Sequence, residues 1–321
     1  MKKFKILFFF FPLCFPAILS AQDVQKEMII KDLLLISEQF AQPAAMGAAY
    51  QGSAGWFSSA TALEPWELSL SVHANALIVP GSKKTFSISN SQLEALNIAG
   101  AENVTIPTAF GSKSQVVFEG EYLNFPFAFR AFEGIDRDIV PHAFVQVAVG
   151  LPGGTDVTLR VMPEITIDNI NAKTYGAGIK HSISQYFNYN YPHNFQLAAG
   201  LAYSKFLVDY TYPPVNIQIA TLKTIDVNAD VLVLEAIGSK LYGNFELVGA
   251  LGLINTSFNY ELGGEGFGLK EINSELEKLG GTEIQYKGDL GFKIHSGRIK
   301  FSAMATVGSL FNVNLGLHVR I

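Results

Sequence analysis

Residues Trp66 to Val79 read WELSLSVHANALIV and lie between Pro65 and Pro80. Apolar residues occupy every second position from Trp66, and polar residues occupy the alternate positions from Glu67 to Asn75. Successive side chains of a strand point to opposite faces, whereas a helix would scatter these polar residues around its surface. Strands of soluble domains usually have about five or six residues, but a tilted strand that crosses a bilayer needs about nine to eleven. This stretch therefore predicts a membrane-spanning barrel strand.

The same alternation returns after Pro141 and continues to the C-terminus. It covers His142–Leu151, Thr155–Ile167, Lys173–Tyr186, Asn194–Val208, Thr224–Ile237, Leu241–Asn255, Thr282–His295, Ile299–Val307 and Phe311–Ile321. With the opening stretch this predicts an all-β fold, an antiparallel transmembrane β-barrel of about ten strands, with eight to fourteen as the allowed range. The barrel would span residues 64–321.

An even number of strands places both ends of the barrel on the same side of the membrane. Short connections, such as Pro152-Gly153-Gly154, are typical of periplasmic turns. The longer connections predict outer loops at Pro80–Pro141, Asp209–Lys223 and Thr256–Gly281.

Residues 1–21 have the layout of a secretory signal peptide, with lysines followed by an apolar core and Leu19-Ser20-Ala21. A short membrane anchor is the alternative, although two prolines interrupt the core. Cleavage after Ala21 would remove Cys14, the only cysteine, so neither disulfides nor thiol chemistry are expected. Export and a barrel together predict the outer membrane of a Gram-negative bacterium.

Residues 22–63 are predicted to form a helix and a glycine-rich plug. Asp23 can cap a helix that runs to about Phe40 and is ended by Pro43. The small, glycine-bearing stretch Ala44–Leu63 has little to bury by itself. We expect both parts to enter the barrel from the periplasmic side, because a lumen can shelter them. The alternatives are a helix on the membrane surface and a loose periplasmic tail.

Charged and polar residues on the inward parity predict a lumen of mixed charge. The candidate lumen residues are Glu67, His73, Arg160, Lys180, Asp230, Asp289, Lys300 and Arg320. Pairing of these charges across a filled lumen is favoured over a polar conduit, because an unpaired buried charge is costly.

The sequence predicts no catalytic residue, metal site or cofactor. The six histidines fall on separate strands or turns, without a second ligand at metal spacing. No nucleophile motif surrounds any serine, although a barrel lipase or acyltransferase stays open as an alternative. The net charge of −5 gives no reason to expect nucleic acid. The expected partners are outer-membrane lipid, the barrel-assembly machinery that would read the last strand, and a small apolar ligand.

Aromatic residues in the predicted outer loops are the candidate ligand-binding residues. They are Tyr122, Phe125, Phe127, Phe129, Phe132, Tyr210 and Tyr212. Such a set can collect apolar molecules, or it can form the aromatic girdle that barrels carry at the membrane interface. Both interpretations stay open.

An N-terminal plug, Met46-Gly47-Ala48-Ala49-Tyr50 before the first strand, and apolar outer loops resemble the long-chain fatty-acid transporter class of outer-membrane barrels. The chain is more similar to an uncharacterised outer-membrane family of Bacteroidota-type bacteria, through Gly55-Trp56-Phe57, Tyr175-Gly176-Ala177-Gly178 and Ile237-Gly238-Ser239-Lys240. The Asn-Pro-Ala plug signature of the transporter class is absent. The resemblance implies an outer-membrane channel or transporter for small apolar molecules. The alternative is a structural or surface-interaction protein without transport.

Overall fold

The computed structural model describes residues 15–167, 169–187, 195–279 and 281–321. The helices and strands in chain order are α1 Phe15–Ser53, β1 Leu68–Ile78, β2 Thr85–Ser89, β3 Asn97–Ile98, β4 Asn103–Pro107, β5 Val117–Tyr122, β6 Phe125–Arg130, β7 Ile139–Leu151, β8 Thr155–Ile167, β9 Ile170–Ser182, β10 Phe195–Asn216, β11 Thr221–Tyr242, β12 Phe245–Glu265, α2 Leu269–Leu279, β13 Thr282–Ser296, β14 Ile299–Val307 and β15 Phe311–Arg320.

Ten of the described strands form a closed antiparallel barrel. Strand β1 pairs with β15 on one side and with β7 on the other, and β7 to β15 are neighbours in chain order. Closure gives every barrel strand a neighbour on both sides, so no strand lies at a free edge of the sheet. The predictions of an all-β barrel and of about ten strands are confirmed.

The two faces of the barrel alternate as the sequence predicts. In β1 the side chains of Leu70 and Val72 are exposed outward, whereas Ser71, His73 and Asn75 are buried inside. Exposed apolar residues continue around the outer surface on the other strands. This exposed apolar surface suits contact with lipid.

The barrel has two unlike ends, called here the short-turn end and the long-loop end. At the short-turn end the chain reverses at 152–154, between β9 and β10, at 243–244 and at 297–298, and at the long-loop end it carries the segment 79–138 and helix α2. The predicted loop Asp209–Lys223 is wrong, because β10 and β11 remain paired through most of it. Strands β10, β11 and β12 therefore project beyond their neighbours at the long-loop end.

A small folded unit, the outer unit, covers the long-loop end. It consists of the sheets β2–β4 and β3–β5–β6 together with α2, and it shares one apolar core with the first half of α1. The buried carboxylate of Asp32 in α1 accepts hydrogen bonds from the backbone N–H groups of Glu94, Ala95 and Leu96, at 2.7–2.8 Å. The helix is thus fixed to the outer unit by packing and by hydrogen bonds.

Helix α1 is longer than predicted and does not end at Pro43. Proline removes a backbone donor and normally breaks a helix. Here the Phe40 carbonyl, which lies in the turn before Pro43, accepts the N–H of Ala109 at 2.9 Å. The carbonyl that lacks a donor because of Pro43 is that of Gln39, and the neighbouring Phe40 carbonyl is held by this contact while the helix continues to Ser53.

The direction of the helix also differs from the expectation. Its first half packs against the outer unit, so the helix approaches the lumen from the long-loop end and not from the short-turn end. Residues 1–14 of the predicted signal peptide lie outside the described residues. Among the described helices none is long and apolar enough to cross a membrane.

Candidate functional site

The lumen is filled by residues 54–63, called here the lumen segment, which follow α1 toward the short-turn end. Gly55 has a left-handed backbone, φ +67°, and turns the chain out of the helix. Trp56 and Phe57 come next and are almost completely buried. The segment ends near β8, where the N–H of Leu63 donates to Asp156 at 2.9 Å. This half of the barrel is therefore a packed core and not an open channel.

Small residues on β9 and β10 receive the two aromatic rings. A Cβ atom on Gly178 would lie 3.1 Å from the Trp56 ring, and a Cβ atom on Gly200 would lie 2.3 Å from the Phe57 ring. Glycine inside a strand often marks such a close approach. The motifs Gly55-Trp56-Phe57 and Tyr175-Gly176-Ala177-Gly178 thus belong to one contact between plug and wall.

Buried cations of the barrel wall bind the backbone carbonyls at the end of α1. Arg160 donates to the carbonyls of Gly52 at 3.2 Å and Ala54 at 2.8 Å, and Lys287 donates to that of Ser53 at 2.8 Å. The last carbonyls of a helix lack partners within the helix and carry the negative end of its dipole. Cations are their favoured partners, so the wall caps the helix.

Arg160 makes two further contacts that fix its position. Its guanidinium carbon lies 3.9 Å from the ring centroids of both Trp56 and Phe144, so the cation is held between two aromatic faces. Arginine favours such stacked and forked arrangements more than lysine does. A single wall residue thereby joins the helix end, the lumen segment and β7.

The other lumen charges are mostly paired with opposite charges. Lys287 forms salt bridges with Glu235 and with Asp289, and Lys180 lies 2.9 Å from Asp156. Lys180 also donates to two carbonyls of the lumen segment, those of Ser59 at 2.9 Å and Thr61 at 2.7 Å. This arrangement agrees with structural pairing across a filled lumen.

Seven of the eight candidate lumen residues lie inside the barrel or at its short-turn end. His73, Arg160, Lys180, Asp289 and Lys300 are buried, while Glu67 and Arg320 pair at 3.2 Å near the short-turn end. Asp230 does not face the lumen: it shares the outward face of β11 with Leu232 and Leu234 and contacts Tyr203 and Lys205. The inward positions of this strand hold Ala229, Val231 and Val233, because they pack into the apolar core around α1.

The candidate aromatic residues do not form one exposed surface. Phe127, Phe129, Phe132 and Tyr212 are buried in the core of the outer unit, and Tyr122 is half-buried. Phe125 is exposed at the hairpin between β5 and β6. Tyr210 donates to the Glu133 carbonyl at 3.1 Å and lines an internal cavity. Ligand binding by these residues stays a prediction.

An apolar cavity of about 210 Å³ lies between α1 and the barrel wall, in the half nearer the long-loop end. The wall side is formed by β7 to β11, with residues such as Met162, Phe206 and Val227. The helix side is formed by Phe40, Ala41, Ala44, Gly47, Ala48 and Gln51. A concave site lined mainly by apolar side chains, with few polar groups, is typical of small-molecule binding.

A gap in strand pairing lies beside this cavity. Strands β7 and β8 pair from Val145 and Val161 toward the short-turn end, and the described pairing stops there. Residues 139–144 and 162–167 lack this pairing over about 20 Å at the usual rise of a strand. Pro141 and Pro163 lie in these segments, and neither can donate to a ladder. We call this part of the wall the notch, and cavity-lining residues occur on both of its sides.

Sequence reasoning missed the cavity because it ended the helix at Pro43. Ala44, Gly47, Ala48 and Gln51 follow helical spacing, and the first three place small residues on one face of α1. That spacing was the available signal. The notch had a weaker signal, the prolines within two otherwise alternating strands.

Most of the histidines lie apart from one another, although the rings of His73 and His318 meet edge to face with centroids 5.1 Å apart. His73 contacts Asn314 and Ser71, His142 contacts Thr174, and His295 contacts Glu246. Among the described residues no group of three or more His, Cys, Asp or Glu side chains could hold a metal ion.

Comparisons with known proteins gave one matching family and a set of weakly similar solved structures. Over residues 1–321 it matches a family described as "Family of unknown function (DUF6588)". A search of the curated proteins found no match.

Three solved structures illustrate the likeness in fold. The translocator domain of the autotransporter NalP from Neisseria meningitidis is 11% identical, covers 87% of this chain and 95% of its own, and has a TM-score of 0.38. A Pseudomonas aeruginosa FadL homologue is 12% identical, with coverage of 82% and 67% and a TM-score of 0.32. The outer membrane protease OmpT from Escherichia coli is 11% identical, with 82% and 100% coverage and a TM-score of 0.29. The likeness concerns the barrel fold and assigns no function.

Proposed function

We propose that this chain, which belongs to the family of unknown function DUF6588, is an outer-membrane barrel of a Gram-negative bacterium that takes small apolar molecules into the cavity beside α1. The long-loop end faces the cell exterior and the short turns face the periplasm, as in other outer-membrane barrels. The single observation that carries the proposal is the apolar cavity beside the notch.

The driving force is burial of the ligand's apolar surface. Transfer from water contributes about 25 cal/mol for each Å² that is buried. The cavity walls are almost entirely apolar side chains, and Gln51 turns its amide to the Val140 carbonyl at 2.7 Å. The site therefore offers apolar contacts and few competing polar groups.

The notch supplies a route from the membrane into the cavity. Its two sides come from strands that face lipid, with exposed Ile139 on β7 and exposed Val161 on β8. An apolar molecule dissolved in the hydrocarbon layer can pass an unpaired section of wall without crossing a hydrogen-bonded ladder. The packed lumen segment closes the direct path to the periplasm, so capture of the molecule precedes any onward passage.

Filling the cavity tests this function. We expect Ala44→Phe to lower the binding of naphthalene by about tenfold or more, because the new ring occupies the site. Equilibrium dialysis with the protein in lipid nanodiscs, corrected with empty nanodiscs, measures the bound probe. Ala177→Phe is the matched control, since Ala177 lies on the lipid-facing side of β9. Equal binding by wild type and Ala44→Phe would contradict the proposal.

A surface-interaction role is the second candidate. Leu123 and Phe125 at the β5–β6 hairpin, and Phe267 before α2, are exposed apolar residues of the outer unit. Exposed apolar residues at a protein's tip suit contact with a partner. If Ala44→Phe leaves uptake of apolar molecules unchanged in cells, and Phe125→Ser with Phe267→Ser abolishes capture of a cell-surface protein, this second role is favoured.

A further inference from the structure

We infer that His142 recognises a hydrogen-bonding group on the ligand, so that the cavity selects apolar molecules carrying one polar head over pure hydrocarbons. This inference rests on the proposed function and names the class of ligand. It follows from the hydrogen-bond partners of the few polar side chains that line the otherwise apolar cavity.

Most polar side chains around the cavity already have partners or lie at its rim. Gln51 donates to the Val140 carbonyl, and Tyr210 donates to the Glu133 carbonyl. Arg137 is exposed at the edge nearer the long-loop end. These groups therefore do not need a ligand as a hydrogen-bond partner.

His142 differs from them. Its side chain is 2% exposed, and its Nε2 lies 3.2 Å from the Thr174 hydroxyl. Its Nδ1 is buried and has no hydrogen-bond partner among the described residues. A buried polar atom without a partner carries a desolvation cost, and native proteins rarely leave one without a reason.

Two aromatic rings and the cavity border the side chain of His142. Phe144 and Phe206 lie against it, each with ring centroids at 5.3 Å. Phe206 also lines the cavity, as His142 itself does. A ligand in the cavity would therefore contact the His142 side chain, and its polar group is the partner that we infer for Nδ1.

The chemistry of the imidazole defines the head group. If Nε2–H donates to Thr174, Nδ1 accepts a hydrogen bond; if the Thr174 hydroxyl donates to Nε2, Nδ1–H donates. A hydroxyl group can serve either form, because it both donates and accepts. The preferred ligand is an apolar molecule with a single hydroxyl or similar group.

Matched probes that differ only in the hydroxyl test the inference. In nanodisc dialysis we expect 1-naphthol to bind wild-type protein about tenfold more tightly than naphthalene, the usual effect of one well-placed hydrogen bond. His142→Phe should bring the ratio close to one while naphthalene still binds, and His142→Gln should restore part of the preference. His181→Phe is the matched control, since His181 lies at the short-turn end and contacts Thr155. The unheated and boiled forms of each variant on a gel show whether its barrel has folded.

The outcomes separate the two proposals. Equal binding of 1-naphthol and naphthalene by wild type, or a preference that survives in folded His142→Phe, would overturn the role of His142 and leave the cavity function standing. Binding of neither probe by wild type would overturn both. If His142→Phe does not fold, the ratio measured for His142→Gln decides, because a ratio equal to that of wild type would overturn the role of the imidazole.

Discussion

Arg160 joins the plug to the wall through hydrogen bonds and ring contacts. It bonds two carbonyls at the end of α1 and lies between two aromatic rings. Of the two carbonyls, that of Gly52 also accepts from Trp56 Nε1 and the Ser204 hydroxyl. Loss of Arg160 therefore removes the main partner of the Ala54 carbonyl, whereas the Gly52 carbonyl keeps others.

We expect Arg160→Met to lower the free energy of unfolding by about 2–3 kcal/mol, because a charge-assisted bond and two cation–π contacts are lost. Relief from burying the charge offsets part of this loss. The free energy of unfolding of Arg160→Lys should lie between those of wild type and Arg160→Met, since lysine keeps the charge but not the forked geometry. Urea unfolding in lipid vesicles measures the difference. Arg298→Met, at an exposed turn, is the control, and an equal loss in the control would argue against the helix-capping role.

Gly200 allows Phe57 of the lumen segment to pack closely against β10. A side chain at this position would overlap Phe57, since a Cβ atom would lie 2.3 Å from its ring. We expect Gly200→Val to cost about 1–3 kcal/mol through overpacking. Phe57→Ala should relieve that overlap, so the double variant should lose less than the sum of the two single losses.

A double-mutant cycle from urea unfolding measures this coupling. Ala199→Val is the control, because Ala199 lies on the opposite face of the same strand. Strictly additive losses for Gly200→Val and Phe57→Ala would show that the ring does not pack against β10 in the membrane.

The strands could be predicted from the sequence, but the course of α1 could not. Strands could be predicted because the period-two alternation records which face meets lipid, as in Leu70 and Val72 against His73. The course of α1 could not be predicted, because beyond Pro43 the helix packs against barrel residues that are distant in sequence. Its weak amphipathic pattern also gave no direction, since it is packed between outer unit and wall. Asp230 was wrongly predicted to face the lumen. The lumen near α1 is apolar, so apolar residues occupy the inward positions of β11.

The notch and cavity lie beyond what alternation can show. A strand's own pattern reports its two faces, but it does not report whether a neighbour pairs with it. Residues 139–144 alternate like paired residues elsewhere, yet the described pairing with β8 begins only at Val145. The sequence likewise cannot show that Nδ1 of His142 is buried without a hydrogen-bond partner, because this depends on the three-dimensional structure.

The path of α1 through the barrel predicts on which side of the membrane this helix begins. The first half of α1 is bound to the outer unit, with Lys26 Nζ 2.8 Å from Glu271 and Gln25 donating to the Glu121 carbonyl at 2.9 Å. The lumen segment then crosses the barrel, and β1 starts at the short-turn end, where the N–H of Trp66 donates to Gly150. If the long loops face the cell exterior, the first half of α1 lies outside the cell.

Labelling of intact cells tests this orientation. In a Cys14→Ser background, which removes the only native cysteine, we expect Val24→Cys to react with a membrane-impermeant maleimide, because Val24 is 55% exposed at the long-loop end. Arg298→Cys, at an exposed turn of the short-turn end, should react only after the outer membrane is permeabilised. The reverse pattern would invert the barrel. Reaction of Val24→Cys only after permeabilisation, with Phe125→Cys reactive on intact cells, would instead show that the helix leaves the outer unit and enters from the periplasm.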